Sequence, residues 1–417
     1  MNAAVEHPAV TARIALLAAL VAALALATPT ALLAQSRHGD VVSSELLGSR
    51  TALQIDEGGL PLFETRPIPR MKYTVDLYRL RYLSTDFDGT PATITAQLFI
   101  PRRASGEPCP VLVFGSGTTG ISDACAPSRE NPAAHPWGYY KENMLAYAGL
   151  GYITVFPDYI GFEDPARPQR YFSKLAEAHV MLDAARAVPA FLSEDTTGAR
   201  AAPKVFVAGY SQGGHAAFAA ADLWASYAPE VPLAGVMGFG ATCDVAALLK
   251  DGPEFASYII YTYSVMYGTS QVDPAELLQE RWARSLAVDV ERMCVDQFQF
   301  YYPSDGAKLY TPYFHQALYG DRLPETFPAV AARLAENSSG LSGHGLPAIV
   351  FQGTEDHVIR TPSQDRFVEA LRQAGSPVRY VLLNGSGHKQ VRTDGFAASV
   401  AWMELVASGE LPPSDGR

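Results

Sequence analysis

Val205-Phe-Val-Ala-Gly-Tyr-Ser211-Gln-Gly-Gly214, running on into His-Ala-Ala-Phe-Ala-Ala-Ala221, decides the reading of this chain. A run of β-branched and aromatic residues meets a Gly-x-Ser-x-Gly turn, and a stretch of helix-forming alanines follows. Strand, tight turn and helix are the context that makes this common pattern a nucleophile elbow. There the serine is forced into a strained conformation and its hydroxyl stands above the carboxyl edge of a sheet. Gly209 and Gly213 are small where the strand and helix backbones pass close to each other. A glycine turn without function is the bland alternative, and the flanking strand and helix weigh against it.

Outward from the elbow, strands alternate with helical segments. Residues 73–83 and 92–100 read as antiparallel strands joined at Asp88-Gly89, a hairpin signal. Short apolar runs follow at 111–114, 152–156, 205–208, 233–239, 348–351 and 378–383. Helical spacing marks 141–148, 175–191, 215–227, 364–374 and 397–407. Apolar strands separated by helices predict a mostly parallel sheet covered on both faces. That is an α/β-hydrolase fold, with eight strands expected and the elbow after the fifth. Residues 35–72 form a lead-in with no assigned element, and 73–242 with 346–417 form the core. Between the sixth and seventh expected strands, residues 243–345 break the alternation and read as an inserted cap or lid. This segment carries Tyr258, Tyr261, Tyr263, Tyr267, Tyr301, Tyr302, Tyr310, Tyr313 and Tyr319. Tyrosines there either line an acyl or aryl pocket or pack the insertion's own core; for each one taken singly, packing is the favoured reading.

With 417 residues and 48% hydrophobic content the chain holds one large domain or two ordinary ones. A formal charge of −11 argues against a nucleic-acid or anionic-membrane partner and suits a neutral substrate found by apolar contact. Residues 1–34 read as a secretory signal: Arg13 precedes an apolar run from Ile14 to Ala27, and cleavage is expected after Ala34, with Ala27 the alternative. Pro29 and the short apolar core weigh against an uncleaved anchor, so no stable membrane insertion is expected after signal removal. Export permits disulfides among Cys109, Cys125, Cys243 and Cys294. Their scatter lacks Cys-x-x-Cys spacing, so no metal is expected. Cys109 opens a strand, whereas Cys125 and Cys243 lie beyond the far ends of strands, too far for a bridge to it. Cys125–Cys294 is preferred, Cys125–Cys243 is the rival, and free buried thiols are the third possibility.

A serine hydroxyl needs a base, and the base needs an orienting acid. In this fold the chain order is serine, acid, histidine. Asp356, in the glycine turn after the seventh expected strand, is the acid, with Glu355 and Asp244 as competitors. His388, in Leu383-Asn-Gly-Ser-Gly-His388 after the last strand, is the base. His357 neighbours the acid but points away, His344 has only proximity, and His215 on the elbow helix reads as a packing or capping residue. Acyl transfer also needs donors for the oxyanion. Gln212 supplies one main-chain N–H, and Thr118 or Thr119, in Gly115-Ser-Gly-Thr-Thr-Gly120, supplies the second. No cofactor is implied, since this chemistry brings its own nucleophile and proton shuttle.

Gly117-Thr-Thr-Gly120 with Cys125-Ala-Pro-Ser128, then Phe156-Pro-Asp-Tyr-Ile-Gly161, then Gly-Tyr-Ser-Gln-Gly-Gly-His215, resembles the secretory lipase family. The likeness runs from about Tyr73 to Trp402 and is sharpest from Gly117 to Ser128. It implies an exported serine esterase or lipase with an inserted lid, with Ser211, Asp356 and His388 as triad and Thr119 as second oxyanion donor. It also implies a bridge from Cys125 to the lid, favouring Cys294. Two departures stand out: Ser116 replaces the histidine that bacterial members commonly carry before Gly-Thr-Thr-Gly, and the 243–345 segment matches least well. The expected function is cleavage of carboxylic esters, lipid or aryl, by an exported enzyme acting on small-molecule or lipid substrates. A serine peptidase or an acyltransferase of the same fold is the alternative, and a non-catalytic binding scaffold is disfavoured because all three triad members are present. The oligomeric state is left open.

Overall fold

The computed structural model describes residues 37–64, 66–103, 106–194 and 197–410. The expected export signal, 1–34, lies outside them. The described residues form one nine-stranded sheet in the order β1-β2-β3-β5-β4-β6-β7-β8-β9. Here β1 is Val41–Arg50, β2 Val75–Thr85, β3 Pro91–Pro101, β4 Cys109–Gly115, β5 Ile153–Pro157, β6 Ala201–Tyr210, β7 Leu233–Phe239, β8 Ala348–Gly353 and β9 Val378–Leu383. The first three strands and β5 pair antiparallel, and every pair from β5 onward to β9 is parallel. This is the α/β-hydrolase arrangement, corrected in one respect: there are nine strands, and the elbow follows the sixth. The extra strand, β1, pairs with β2 along the sheet edge. Most of its residues are exposed, so it shows no apolar alternation by which its sequence declares a strand. The helix Ala52–Phe63 follows it, opened by a capping box between Thr51 and Gln54.

Strands β5 and β8 are buried throughout, and β4, β6 and β7 nearly so over their apolar runs. They are covered from both sides, which requires near-continuous apolar sequence. On β7 a Cβ added at Gly235 would meet Trp402, whereas one at Gly238 would meet Phe218, so the two covering layers press on opposite faces of one strand. Trp402 lies in the C-terminal helix Phe396–Ser408 and Phe218 in the elbow helix Gln212–Tyr227. The C-terminal helix also packs on the helix Tyr140–Gly149, where the Tyr147 and Ser399 hydroxyls bond at 2.8 Å.

Between β7 and β8 the chain runs through helices from Val245–Asp251 to Pro328–Glu336, which share a second hydrophobic cluster with Ile121, Tyr171, Phe172 and Ile359. Tyr258, Tyr263, Tyr302 and Tyr310 are buried in that cluster. Their hydroxyls donate to Met293 O, Phe172 O, Asp289 Oδ2 and Leu249 O, respectively. Tyr301, Tyr313 and Tyr319 face solvent. Four of the nine tyrosines of this segment therefore pack its interior.

A disulfide joins Cys125 to Cys294 across 169 residues, and Cys109 and Cys243 are free and buried. The bridge fastens the loop after β4 to the insertion, and Val295 N–H donates to Thr119 O at 2.8 Å beside it. Cross-linking so long a loop removes entropy from the unfolded chain, worth about 2–5 kcal/mol. Cys294→Ser is expected to lower the melting temperature by several degrees in calorimetry, and wild type in reductant is expected to follow it down.

Candidate active site

The site begins with a steric demand. A Cβ on Gly213 would lie 1.9 Å from Gly115 O, and one on Gly209 would lie 2.0 Å from Gly213 O. Neither atom has room, so the elbow helix rests directly on the ends of β4 and β6. At the turn Ser211 takes φ 54° and ψ −116°, a conformation that costs a non-glycine residue about 1–3 kcal/mol. Its N–H donates to Phe239 O at 2.9 Å, pinning the turn to the end of β7.

His388 stands over the serine. Its Nε2 lies 2.9 Å from Ser211 Oγ, and its Nδ1 lies 2.7 Å from Asp356 Oδ2. The other carboxylate oxygen of Asp356 accepts from Val358 N at 2.9 Å and Ile359 N at 2.8 Å. The carboxylate thus accepts on both sides, which places the imidazole proton on Nδ1 and the lone pair on Nε2, facing the serine hydroxyl. Asp356 is 4% exposed and Ser211 8%, so the acid and the serine are both largely withdrawn from water. Gly240, at φ +52°, lets the chain after β7 pass within reach of His388 Nδ1 and Asp356 Oδ2.

The sequence competitors are elsewhere. Glu355 and His357 are exposed. Asp244 is exposed and caps the helix Val245–Asp251, accepting from Ala247 N at 3.0 Å. His344 Nδ1 accepts from Leu346 N at 3.1 Å. His215 is fully buried, as a packing residue should be, between Glu177 and Asn337 O.

Gln212 is the first residue of its helix, so its N–H has no carbonyl one turn back to satisfy it. Among the described residues no hydrogen bond engages the main-chain N–H of Thr118 or Thr119 either. The loop carrying them is held by three buried phenols. Tyr140 OH accepts from Gly117 N at 2.8 Å, Tyr159 OH donates to Ser116 O at 2.8 Å, and Tyr171 OH lies 2.7 Å from Thr118 Oγ1. Burial pushes all three hydroxyls well above the usual phenol range, so they act as neutral hydrogen-bonding groups. The Thr118 hydroxyl is therefore engaged by Tyr171. Ser116, at the position where the histidine of the resembled family is replaced, has a buried hydroxyl with no partner among the described residues. The three phenols escaped the sequence reading, although Tyr159 lies inside Phe156-Pro-Asp-Tyr-Ile-Gly161.

The same motif holds the Cys125 segment. Asp158 accepts from Ser128 N at 2.8 Å and from Ser128 Oγ at 2.6 Å. Complete burial, reinforced by Glu163 and only partly offset by Ser128 and Arg129, pushes its carboxyl up to about 7. Between the ordinary carboxyl range and pH 7 the folded state holds the extra proton, so this group's contribution to stability falls as pH rises. Asp158→Asn is expected to remove that fall. The wild-type melting temperature should lose its advantage over the variant between pH 4.5 and pH 8, whereas parallel melting curves would show that Asp158 is ionised throughout.

Fold and site together are those of the α/β-hydrolase class. The family model described as Secretory lipase matches residues 142–414, well over half the chain, and the chain belongs to that family. The matched residues begin after the Gly117–Ser128 stretch. The secreted triacylglycerol lipase LIP4 of Malassezia globosa is 25% identical over 364 residues, covering 81% of this chain and 73% of that protein. A ligand-bound form of the rice cell wall degrading esterase LipA from Xanthomonas oryzae superposes with a TM-score of 0.74 at 20% identity, covering 90% of this chain and all of that one. Candida antarctica lipase A in its closed state gives a TM-score of 0.65 at 18% identity, over 92% of this chain and 85% of that one. The protein is an exported carboxylic ester hydrolase. Among the described residues no helix is long and apolar enough to cross a membrane.

Proposed function

We propose that the chain cleaves lipid or aryl esters through an acyl-enzyme on Ser211, with His388 as base and Asp356 as its orienting acid. One observation carries the reading: a serine on a strained elbow has its Oγ 2.9 Å from His388 Nε2, and the opposite ring nitrogen is held at 2.7 Å by Asp356. Ser211 Oγ attacks the ester carbonyl carbon while its proton passes to Nε2. The resulting imidazolium is stabilised by Asp356, and the negative oxygen is held by the N–H groups of Gln212 and Thr119, with Thr118 the neighbouring donor. Nε2 then protonates the leaving alkoxide. A water deprotonated by the same nitrogen attacks the acyl-enzyme and releases the acid.

Residues 243–345 act as a cap that selects the acyl group; the bridge and the Val295–Thr119 hydrogen bond support this by tying the insertion to the oxyanion loop. Triacylglycerol, named for the Malassezia globosa relative, is one candidate substrate. Residues 1–34 serve as the export signal, and N-terminal sequencing of the exported protein should begin at Gln35.

Initial rates on p-nitrophenyl acetate, butyrate, octanoate and palmitate test the reading. Ser211→Ala is expected to lower kcat by roughly 10⁴-fold or more on each ester. Full turnover by this variant would sink the mechanism. A maximum at long chains assigns a lipase groove, and one at short chains a confined esterase pocket. Cleavage of dipeptidyl amides would shift the assignment to a peptidase, and ester products formed with added alcohols would shift it to an acyltransferase.

A further inference from the structure

Behind the elbow lies a second array of buried polar groups that the proposed mechanism does not use. Its centre is Glu177, 1% exposed, in the helix Lys174–Glu194. Glu177 Oε1 accepts from the side-chain amide of Gln212 at 2.7 Å and from Phe172 N at 3.1 Å. Glu177 Oε2 lies 2.6 Å from His215 Nδ1. His215 Nε2 faces the carbonyl of Asn337 at 2.5 Å, and a carbonyl only accepts, so that nitrogen carries a proton. Asn337 in turn donates to Tyr267 OH at 2.8 Å, and its side-chain oxygen accepts from Lys174 N at 3.0 Å.

We infer that Glu177 is a positioning residue for ester cleavage: it grips the side-chain amide of Gln212 and thereby fixes the main-chain N–H that receives the oxyanion. The inference rests on the reading of Ser211 as nucleophile. Gln212 follows a serine at φ 54° and opens a helix, so its own N–H makes no bond in the helical ladder, and its peptide plane is held only through the Ser211 carbonyl, which accepts from Gly214 N at 2.9 Å and His215 N at 3.3 Å. An oxyanion donor acts through preorganisation, and a displacement of ~1 Å costs up to about 10²-fold in rate. The side chain, 1% exposed and directed to Glu177, adds a restraint from the residue's other end. A buried carboxyl group is an expensive way to fill space, and this one is matched by three hydrogen-bond partners from two segments, Phe172 on one side and Gln212 with His215 of the elbow helix on the other. Through His215 it is also joined to Asn337, the residue that closes the last helix of the insertion. The rival role is purely local: Glu177 holds Phe172, whose backbone sits at φ 55°.

Three variants separate the two roles: Gln212→Met, which keeps side-chain length and main-chain N–H but loses the amide; Glu177→Ala; and Glu177→Gln, which keeps an acceptor. Each is assayed on p-nitrophenyl butyrate, with active serines counted by a fluorophosphonate and affinity measured for an alkylboronic acid that forms a tetrahedral adduct. Gln212→Met is expected to lower kcat about 10-fold, within the range for a displaced donor, with KM unchanged and the melting temperature lowered by the loss of one donor to buried Glu177. Boronate affinity should fall by the same factor. Glu177→Ala should match it per active serine, and Glu177→Gln should recover most of the rate. Unchanged kcat and boronate affinity in Gln212→Met overturns the inference, whether or not Glu177→Ala folds. A lowered melting temperature in Glu177→Ala, with wild-type kcat per active serine, also overturns it in favour of the local role at Phe172. If the fluorophosphonate fails to label Ser211 in wild type, it is the underlying mechanism that falls.

Discussion

Backbone against backbone, with no side chain between, is the contact on which this molecule turns. Gly213 meets the Gly115 carbonyl and Gly209 meets Gly213, so the elbow helix starts as near to the sheet as main chains allow. That closeness drives Ser211 into its strained conformation and points its hydroxyl at His388. It also brings the start of the elbow helix, with Gln212, against the loop that leaves β4. Ser211 and Gln212 follow β6 whereas Thr119 follows β4, and their spacing is set by this one approach. The strain persists because β4, β6, β7 and the helix over-determine the turn.

Around that contact the polar groups form two sets. In one, Asp356 is held by two main-chain N–H groups and holds His388. In the other, Glu177 and the phenols of Tyr140, Tyr159 and Tyr171 brace the helix start and the loop after β4. Water is largely excluded from both, so each hydrogen bond acts in a low dielectric and resists exchange with solvent. The loop after β4 is where these sets meet the insertion, through the Cys125–Cys294 bridge and the Val295–Thr119 bond.

Much of this was legible because the decisive residues sit where turn chemistry and periodicity speak. Gly-Tyr-Ser-Gln-Gly follows a buried strand, Asp356 follows the glycine that ends β8, and His388 follows β9. Each carries its position in local sequence. Strand β1 was silent because an exposed edge has no buried face to impose alternation. Its neighbouring helix, Ala52–Phe63, hid behind Gly58, Gly59 and Pro61, which argue against a helix unless packing overrides them. Glu177 and Tyr140 were invisible for another reason. They lie in ordinary helical runs, and their partners at Gln212 and Gly117 are remote in sequence, so only the folded chain reveals the pairing.

The bridge between Cys125 and Cys294 carries a consequence for where the enzyme can work. Thiols stay reduced in a cytoplasm kept at low potential and oxidise once outside it. A newly made chain therefore holds the β7–β8 segment to the loop after β4 by non-covalent contacts alone. The covalent clasp closes only on arrival in an oxidising space. The sturdiest form of the enzyme is thus completed outside the compartment that makes it.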